Sequence, residues 1–173
     1  MILCPETYPV VWGHEPVTSS ALDMGADSVH MKNADGVLII VNQYGSVAST
    51  ALVLTVNEGA TDAVCKAATN PLSASSSQSF MIWSNLDCAT NDTMVRRSDA
   101  VTYTMTVSAS TFNMVCLYVP ASILTDGMEY INLGTSGGHA SNLVSVQYVL
   151  DKSRYKQVTP PTNVCNYRTV IVK

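Results

Sequence analysis

Two short, uninterrupted apolar runs constrain the fold most strongly. They occupy residues 35–42 (Asp-Gly-Val-Leu-Ile-Ile-Val-Asn) and residues 51–57 (Ala-Leu-Val-Leu-Thr-Val-Asn). A buried helix is the alternative, but a helix usually needs at least about ten residues, and Gly45 and Gly59 interrupt too soon. A strand that is apolar on both faces has to be covered on both faces. The sequence therefore predicts two strands of a layered β-protein, paired as a central hairpin with residues 43–46 at its tip.

Further strand-like segments follow at a spacing of roughly ten residues, which is typical of an antiparallel sandwich or a jelly roll. They are residues 80–84, 94–97, 100–107, 112–119, 130–133 and 142–150. The segment 100–107 alternates apolar residues with threonines, which predicts a half-buried strand with a hydroxyl face. We expect the last segment to pair with residues 112–119. Near Thr61 and Asp62 the pattern fits either a short helix or a loop that crosses the sheet edge.

The chain divides into three parts. We predict an N-terminal arm over residues 1–19, a β-sandwich domain over residues 20–156 and an extended C-terminal arm over residues 157–173. The C-terminal arm contains a stiff proline linker followed by a strand-like hexamer, residues 167–172. Such a tethered strand has two fates, because it can pair with an edge of its own sheet or with an edge of a neighbouring molecule.

Charge is scarce in this sequence. Only 13% of the 173 residues are charged, whereas 47% are hydrophobic. An ordinary soluble protein has roughly 25% charged residues, and charge is what keeps a free monomer soluble. The deficit predicts a homo-oligomer or a larger assembly in which much of the surface is covered. The alternative is a secreted β-protein with a face rich in serine and threonine.

The net charge of −4 argues against a nucleic-acid partner. Phosphate neutralisation needs clustered lysines and arginines, and here the basic residues are scattered. No apolar run reaches the roughly 20 residues of a membrane span, so we expect no membrane partner. Residues 1–6 lack the features of a secretory signal peptide.

The five cysteines are Cys4, Cys65, Cys88, Cys116 and Cys165. None forms a C-x-x-C pair, which argues against a zinc ribbon or a thioredoxin-like site. The odd count excludes a fully paired monomer. Free thiols in a reducing cytosol are one interpretation. The other is an intermolecular disulfide through Cys4 and Cys165, which lie near the two ends of the chain.

No strong catalytic motif is present, and we expect that the protein is not an enzyme. The histidines His14, His30 and His139 are far apart in sequence, and there is no G-x-S-x-G elbow. A Ser-His-Asp site assembled from distant residues stays open at this point. The sequence singles out no catalytic, cofactor-binding or metal-binding residue.

The aromatic residues point to contacts with other molecules. Trp12 and Trp83, with the eight tyrosines, would suit either a sugar-binding face or packing at a subunit interface. We favour an interface, because aromatic residues are its usual anchors. The candidate interface residues are Trp12, Tyr167, Thr169 and Ile171.

The second half of the chain resembles a known family. The segments that carry the resemblance are 82–85 (Ile-Trp-Ser-Asn), 99–104 (Asp-Ala-Val-Thr-Tyr-Thr), 115–124, 127–131, 142–150 and Arg154-Tyr155, together with 31–37 at the start of the first apolar run. They are similar to small β-rich virion proteins of tailed bacteriophages that decorate or cement the head. The cysteines and the residues after Pro160 are not part of this similarity.

The resemblance implies a non-enzymatic structural protein, made in the host cytoplasm, that binds the outer surface of the capsid in the virion. Its partners would be the major capsid protein and copies of itself. An alternative is a phage tail-fibre or receptor-binding β-sandwich that recognises host glycans, which predicts an exposed aromatic cluster near Trp12 or Trp83. A hydrolase on a β-sandwich is a third possibility, which predicts histidines and carboxylates converging on one pocket.

Overall fold

The computed structural model describes residues 8, 10–19, 27–47, 51–67, 70–72, 78–106, 108–153 and 171–172; for residues 152, 153, 171 and 172 it describes the backbone only. Two antiparallel sheets pack face to face. The prediction of an all-β antiparallel sandwich is confirmed.

The larger layer, sheet A, has six strands. In spatial order they are β1 (Val10–Thr18), β10 (Leu143–Ser153), β3 (Ala34–Gly45), β8 (Thr111–Pro120), β5 (Phe80–Asn85) and β6 (Val95–Ala100). The smaller layer, sheet B, has five strands. They are β11 (Ile171–Val172), β2 (Ser28–His30), β9 (Tyr130–Gly137), β4 (Leu52–Gly59) and β7 (Thr102–Met105).

The two apolar runs are strands as predicted, but the predicted hairpin between them is wrong. β3 pairs with β10 and β8 in sheet A, whereas β4 pairs with β9 and β7 in sheet B. The chain between them crosses from one layer to the other, so each run supplies one wall of the core. The expected pairing of residues 142–150 with 112–119 is also wrong, because β3 lies between β10 and β8.

The core lies between the inner faces of the two sheets. Every second residue of β3 points inward, and Val37, Ile39 and Val41 are fully buried. From sheet B, Leu54 and Leu133 are buried in the same cluster. Alternation of this kind follows from the two-residue period of a strand, which places the intervening side chains on the outer face.

One short helix packs at the end of sheet B. It is α1 (Asp62–Lys66), and the Thr61 hydroxyl accepts a hydrogen bond from the Val64 N–H at 3.3 Å as its N-cap. The structure thus selects the helix from the two alternatives that the sequence left open. Among the described residues, no helix is long and apolar enough to span a membrane.

One edge strand of each sheet comes from a segment that the sequence analysis placed in an arm, and for the C-terminal segment the structure shows the first of its two predicted fates. β1, within the predicted N-terminal arm, is an edge strand of sheet A. β11, within the predicted C-terminal arm, pairs with β2 of its own chain, with Ile171 opposite Val29. The hydroxyl face of the predicted strand 100–107 is present on β7, where Thr102 and Thr104 are exposed and Met105 is buried.

Candidate functional site

The outer face of sheet A is an apolar surface that no other part of the described chain packs against. Its register is continuous across the sheet, because each strand is in antiparallel pairing with the next. We name four rows on this face by their position along the strands. Row 1 contains Val10, Val149, Leu38, Tyr118 and Met81; row 2 contains Trp12, Gln147, Ile40, Cys116, Trp83 and Arg96; row 3 contains Ser145, Asn42, Met114 and Asn85; row 4 contains Thr18, Leu143, Tyr44 and Phe112.

Several large apolar side chains of this face are open to solvent. The exposed fractions are 55% for Val10, 56% for Trp12, 57% for Phe112 and 45% for Leu143. Large contiguous apolar patches are uncommon on monomeric soluble proteins and mark contact sites when they occur. Single exposed apolar residues need no explanation, but here they lie on one sheet face around half-buried apolar neighbours.

One cation lies on this face, at the β6 edge. The Arg96 guanidinium carbon is 4.8 Å from the centre of the Trp83 ring. Its nitrogens donate to the Ile82 carbonyl at 3.2 Å, to the Arg97 carbonyl and to the Asp99 carboxylate. Arg96 is the only charged residue in the four rows. A guanidinium held over an indole in this way is a preorganised platform for a second aromatic ring.

A shallow depression lies beside row 4. It measures about 300 Å³ and is lined mainly by apolar atoms of Cys88, Ala89, Phe112 and Met114. The Cys88 N–H donates to the Phe112 carbonyl at 2.8 Å, so the loop after β5 continues the row past the end of that strand. Phe112 also packs against Tyr44, with ring centres 4.7 Å apart.

A polar border closes the face beyond row 1. The Tyr118 hydroxyl donates to the Asp151 carboxylate at 2.9 Å. Partial burial, together with Asp151, raises the pKa of Tyr118 to about 12. A side chain at Gly36 would collide with this tyrosine, because a Cβ there would lie 2.6 Å from its hydroxyl oxygen. The tyrosine is thus held flat over Gly36 as a neutral phenol.

The outer face of sheet B differs in chemistry. Thr104, Val53 and Ser136 form one row, and Thr102 lies beside Thr55 in the next. This face is polar and uncharged over these positions, and it offers hydroxyl groups to water. The two outer faces of the sandwich are therefore not equivalent, and the apolar one is the candidate for a contact surface.

The three histidines lie on different elements. His14 is on β1, where its Nδ1 is 2.8 Å from the Glu15 carbonyl oxygen. His30 is on β2 and pairs with the Glu129 carboxylate at 3.0 Å, with its ring stacked on Tyr130. His139 follows β9, and its Nδ1 accepts from the Ser141 N–H at 3.1 Å.

The hydrogen bond from His30 and the nearby charge of Lys32 lower the pKa of the Glu129 carboxyl. Among the described residues, no group of three or more His, Cys, Asp or Glu side chains could hold a metal ion.

Hydrogen bonds link several of the buried polar residues near α1, and of the described residues there the Asn132 side-chain nitrogen is left without a partner. The Glu58 carboxylate, 4% exposed, accepts from the Thr125 N–H at 2.9 Å and from the Thr125 hydroxyl at 2.5 Å. The Cys65 thiol donates to the Asn57 carbonyl at 3.5 Å, and burial raises its pKa to about 12. A nucleophilic cysteine needs a lowered pKa, whereas the pKa of Cys65 is raised, so this thiol is a structural residue. Its hydrogen bond to Asn57 links α1 to β4 of sheet B.

The structure locates only part of the predicted interface set. Trp12 is exposed on the outer face of sheet A. Tyr167 and Thr169 lie outside the described residues, as do Cys4 and Cys165 of the predicted intermolecular disulfide. For Ile171 the structure gives the backbone pairing with Val29.

Sequence reasoning missed Arg96, Phe112 and Leu143 as members of one surface. The available signal was that residues 112–119 are apolar at nearly every position, which leaves an apolar outer side on β8.

Comparison with known proteins gives no match: no family model, no curated protein and no solved structure matches this chain. The similarity to phage decoration proteins therefore stays a prediction. The outer face of sheet A is the feature that bears on function.

Proposed function

We propose that the chain is a structural virion protein that binds the outer surface of a phage capsid and stabilises the assembled shell. The observation that carries this proposal is the outer face of sheet A, which combines exposed Trp12, Phe112 and Leu143 with one charged residue, Arg96, in its four rows. The Asp151 carboxylate lies at the border beyond row 1. A subunit of this kind keeps such a surface covered in its working state. Only 13% of the residues in the sequence are charged, which agrees with a subunit whose surface is largely covered by other subunits.

The proposed mechanism is mass action. A subunit that binds the assembled shell but not the free capsomers stabilises the assembled state in proportion to its occupancy. Many copies bound at equivalent sites of a symmetric shell add their contributions, and contacts between copies strengthen each one through multivalency. No covalent step is required, and in this proposal the protein is not an enzyme. Its partners are the major capsid protein and copies of itself.

Co-sedimentation tests this function directly. Purified protein is mixed with assembled shells and, as a control, with unassembled capsid protein from the same virus. We expect saturable co-sedimentation with shells, weak binding to the unassembled protein, and a higher temperature of shell disruption at full occupancy. Shells that sediment without the protein, and that melt at the same temperature in its presence, would contradict the proposal.

A glycan-binding tail module is the second candidate, and the exposed aromatics favour it. Trp12 is 56% exposed and Phe112 is 57% exposed. However, four strand spacings separate Trp12 from Trp83, which is roughly 19 Å at about 4.8 Å per strand. One sugar ring cannot touch both. Titration of host-surface glycans with tryptophan fluorescence as the readout separates the two functions, because only the second predicts a saturable change.

A further inference from the structure

We propose that the outer face of sheet A is covered by the same face of a second copy, related by a two-fold axis that runs parallel to the strands between β3 and β8. This inference rests on the proposed function, which has copies of the chain among its partners: it assigns the apolar face to that partner, and the dimer then meets the shell through its other surfaces. β3 and β8 are the third and fourth of six strands, so the axis passes through the middle of the face. The two-fold then places β10 of one copy opposite β5 of the other, and β1 opposite β6.

A two-fold interface is made of one patch on both subunits, so each half of the patch has to complement the other half. The β1–β10 half of the face carries the projecting groups, Trp12 and Leu143. The β5–β8 half carries the receiving features, which are the Arg96–Trp83 platform and the depression lined by Cys88. Phe112, 57% exposed on β8, projects from the second half as well, and the two-fold places it over Tyr44 of the other copy.

Row 2 supplies the first match. Trp12 and Arg96 lie at its opposite ends, each on an edge strand. A rotation about an axis parallel to the strands keeps the position along the strand and exchanges the two edges. Trp12 of one copy therefore lies over Arg96 of the other, on the side of the guanidinium that faces away from Trp83. The resulting stack of indole, guanidinium and indole occurs twice in the dimer.

Row 4 supplies the second match. Leu143 lies on β10, next to Tyr44 and then Phe112. On the opposite half the row continues to Cys88, which is hydrogen-bonded to Phe112. The two-fold places Leu143 of one copy over the depression beside Cys88 of the other. An exposed aliphatic side chain thus meets an apolar hollow.

The size of the face places the dimer at the small end of stable interfaces. Its width is five inter-strand spacings, or roughly 24 Å, and rows 1 to 4 span six residues, or roughly 20 Å. The flat area is therefore about 500 Å² before the relief of the side chains is added. A stable interface buries about 800 Å² per partner. Two twisted sheets packed in this way would give a four-layered particle with the sheet B faces outward.

The oligomeric mass of the purified chain is the test. We expect wild-type protein to give twice the 18.5 kDa of one chain by light scattering across a concentration series. Leu143→Asp should weaken dimerisation by about 100-fold, because it inserts a charge into an apolar hollow at the interface. The matched control is Thr104→Asp, on the exposed outer face of sheet B, and it should dimerise like wild type. Wild-type protein that stays monomeric throughout, or Leu143→Asp that dimerises as tightly as wild type, overturns the inference.

Thiol labelling identifies what covers the face. Cys116 is half-buried in row 2, next to the proposed axis, and Cys65 is a buried control. We expect Cys116 to be protected in the wild-type dimer and to react in Leu143→Asp. If wild-type protein is monomeric with a reactive Cys116 that becomes protected only on capsid shells, the shell is the occupant: the dimer is then wrong and the proposed function stands. If wild-type protein is a dimer that does not bind shells, the dimer stands and the proposed function is wrong.

Discussion

Tyr148 joins the two sheets by one hydrogen bond, and its replacement by phenylalanine tests the core of the sandwich. The side chain belongs to β10 of sheet A and is fully buried. Its hydroxyl oxygen accepts the N–H of Leu133, on β9 of sheet B, at 3.0 Å. β2 is only three residues long and pairs with β9 at Tyr130 and Ile131, so the Leu133 N–H lies beyond its end. The tyrosine takes the place of a missing strand partner.

Tyr148→Phe keeps the ring and deletes the acceptor. A buried donor left without a partner destabilises a protein by about 1–3 kcal/mol. At an m value of about 2 kcal/mol/M, this loss lowers the urea midpoint by about 0.5–1.5 M. Burial raises the pKa of Tyr148 above its ordinary value, so the phenol stays neutral and the result does not depend on buffer pH near neutrality.

Equilibrium unfolding in urea measures this difference, with circular dichroism and fluorescence as independent probes. The matched control is Tyr44→Phe, on the half-exposed outer face, where the ring contact with Phe112 is kept and the change should stay within about 0.5 kcal/mol. A Tyr148→Phe variant as stable as wild type would refute the link between the sheets that the hydrogen bond represents.

Three further predictions concern the C-terminal strand, the thiols and an exposed ion pair. Deletion of residues 160–173 removes β11 and leaves the β2 edge of sheet B unpaired, so it should lower the urea midpoint while the contact through sheet A is kept; an unchanged midpoint would show that β11 adds nothing to the stability of sheet B. In native protein, alkylation followed by mass spectrometry should leave Cys65 unmodified while Cys116 reacts in the monomer, because Cys65 is fully buried whereas Cys116 is partly exposed, although burial raises the pKa of both thiols; rapid native labelling of Cys65 would contradict its placement. The Glu129 pKa is lowered by its hydrogen bond to His30, so its contribution to stability is present above the unfolded-state pKa and is lost as the pH falls through the folded-state value. The difference in urea midpoint between wild type and Glu129→Gln should therefore shrink from about pH 6 to about pH 3, and a difference that does not change with pH would rule out this pair as its source.

The fold class could be predicted from the sequence because strand periodicity and turn residues are local signals. Residues 37–42 and 52–57 are strands, as expected for short apolar runs that are bounded by turn residues. The pairing of these strands is a non-local property, and the prediction was wrong for the central hairpin. Two apolar runs joined by a short polar segment look the same whether the chain turns back within one sheet or crosses to the other.

The candidate surface is connected to the same apolar run. The sequence requires cover on both sides of the strand that became β3. The structure covers Val37, Ile39 and Val41 with sheet B and leaves Leu38 and Ile40 half-buried on the outer face. The part of the chain that the structure describes does not cover this outer face, and that is what indicates a partner. The sequence could not show that Trp12, from the predicted N-terminal arm, and Arg96 would share a row with Ile40, because that depends on the order of six strands.

The number of copies in the virus particle tests the proposed function most directly. Quantitative mass spectrometry of purified particles, with the major capsid protein as the internal standard, gives this number. A protein that cements a symmetric shell at repeated sites is present on the order of hundreds of copies per particle. Absence of the chain from the particle, or a few tens of copies as for a tail tip, would contradict a role on the capsid exterior.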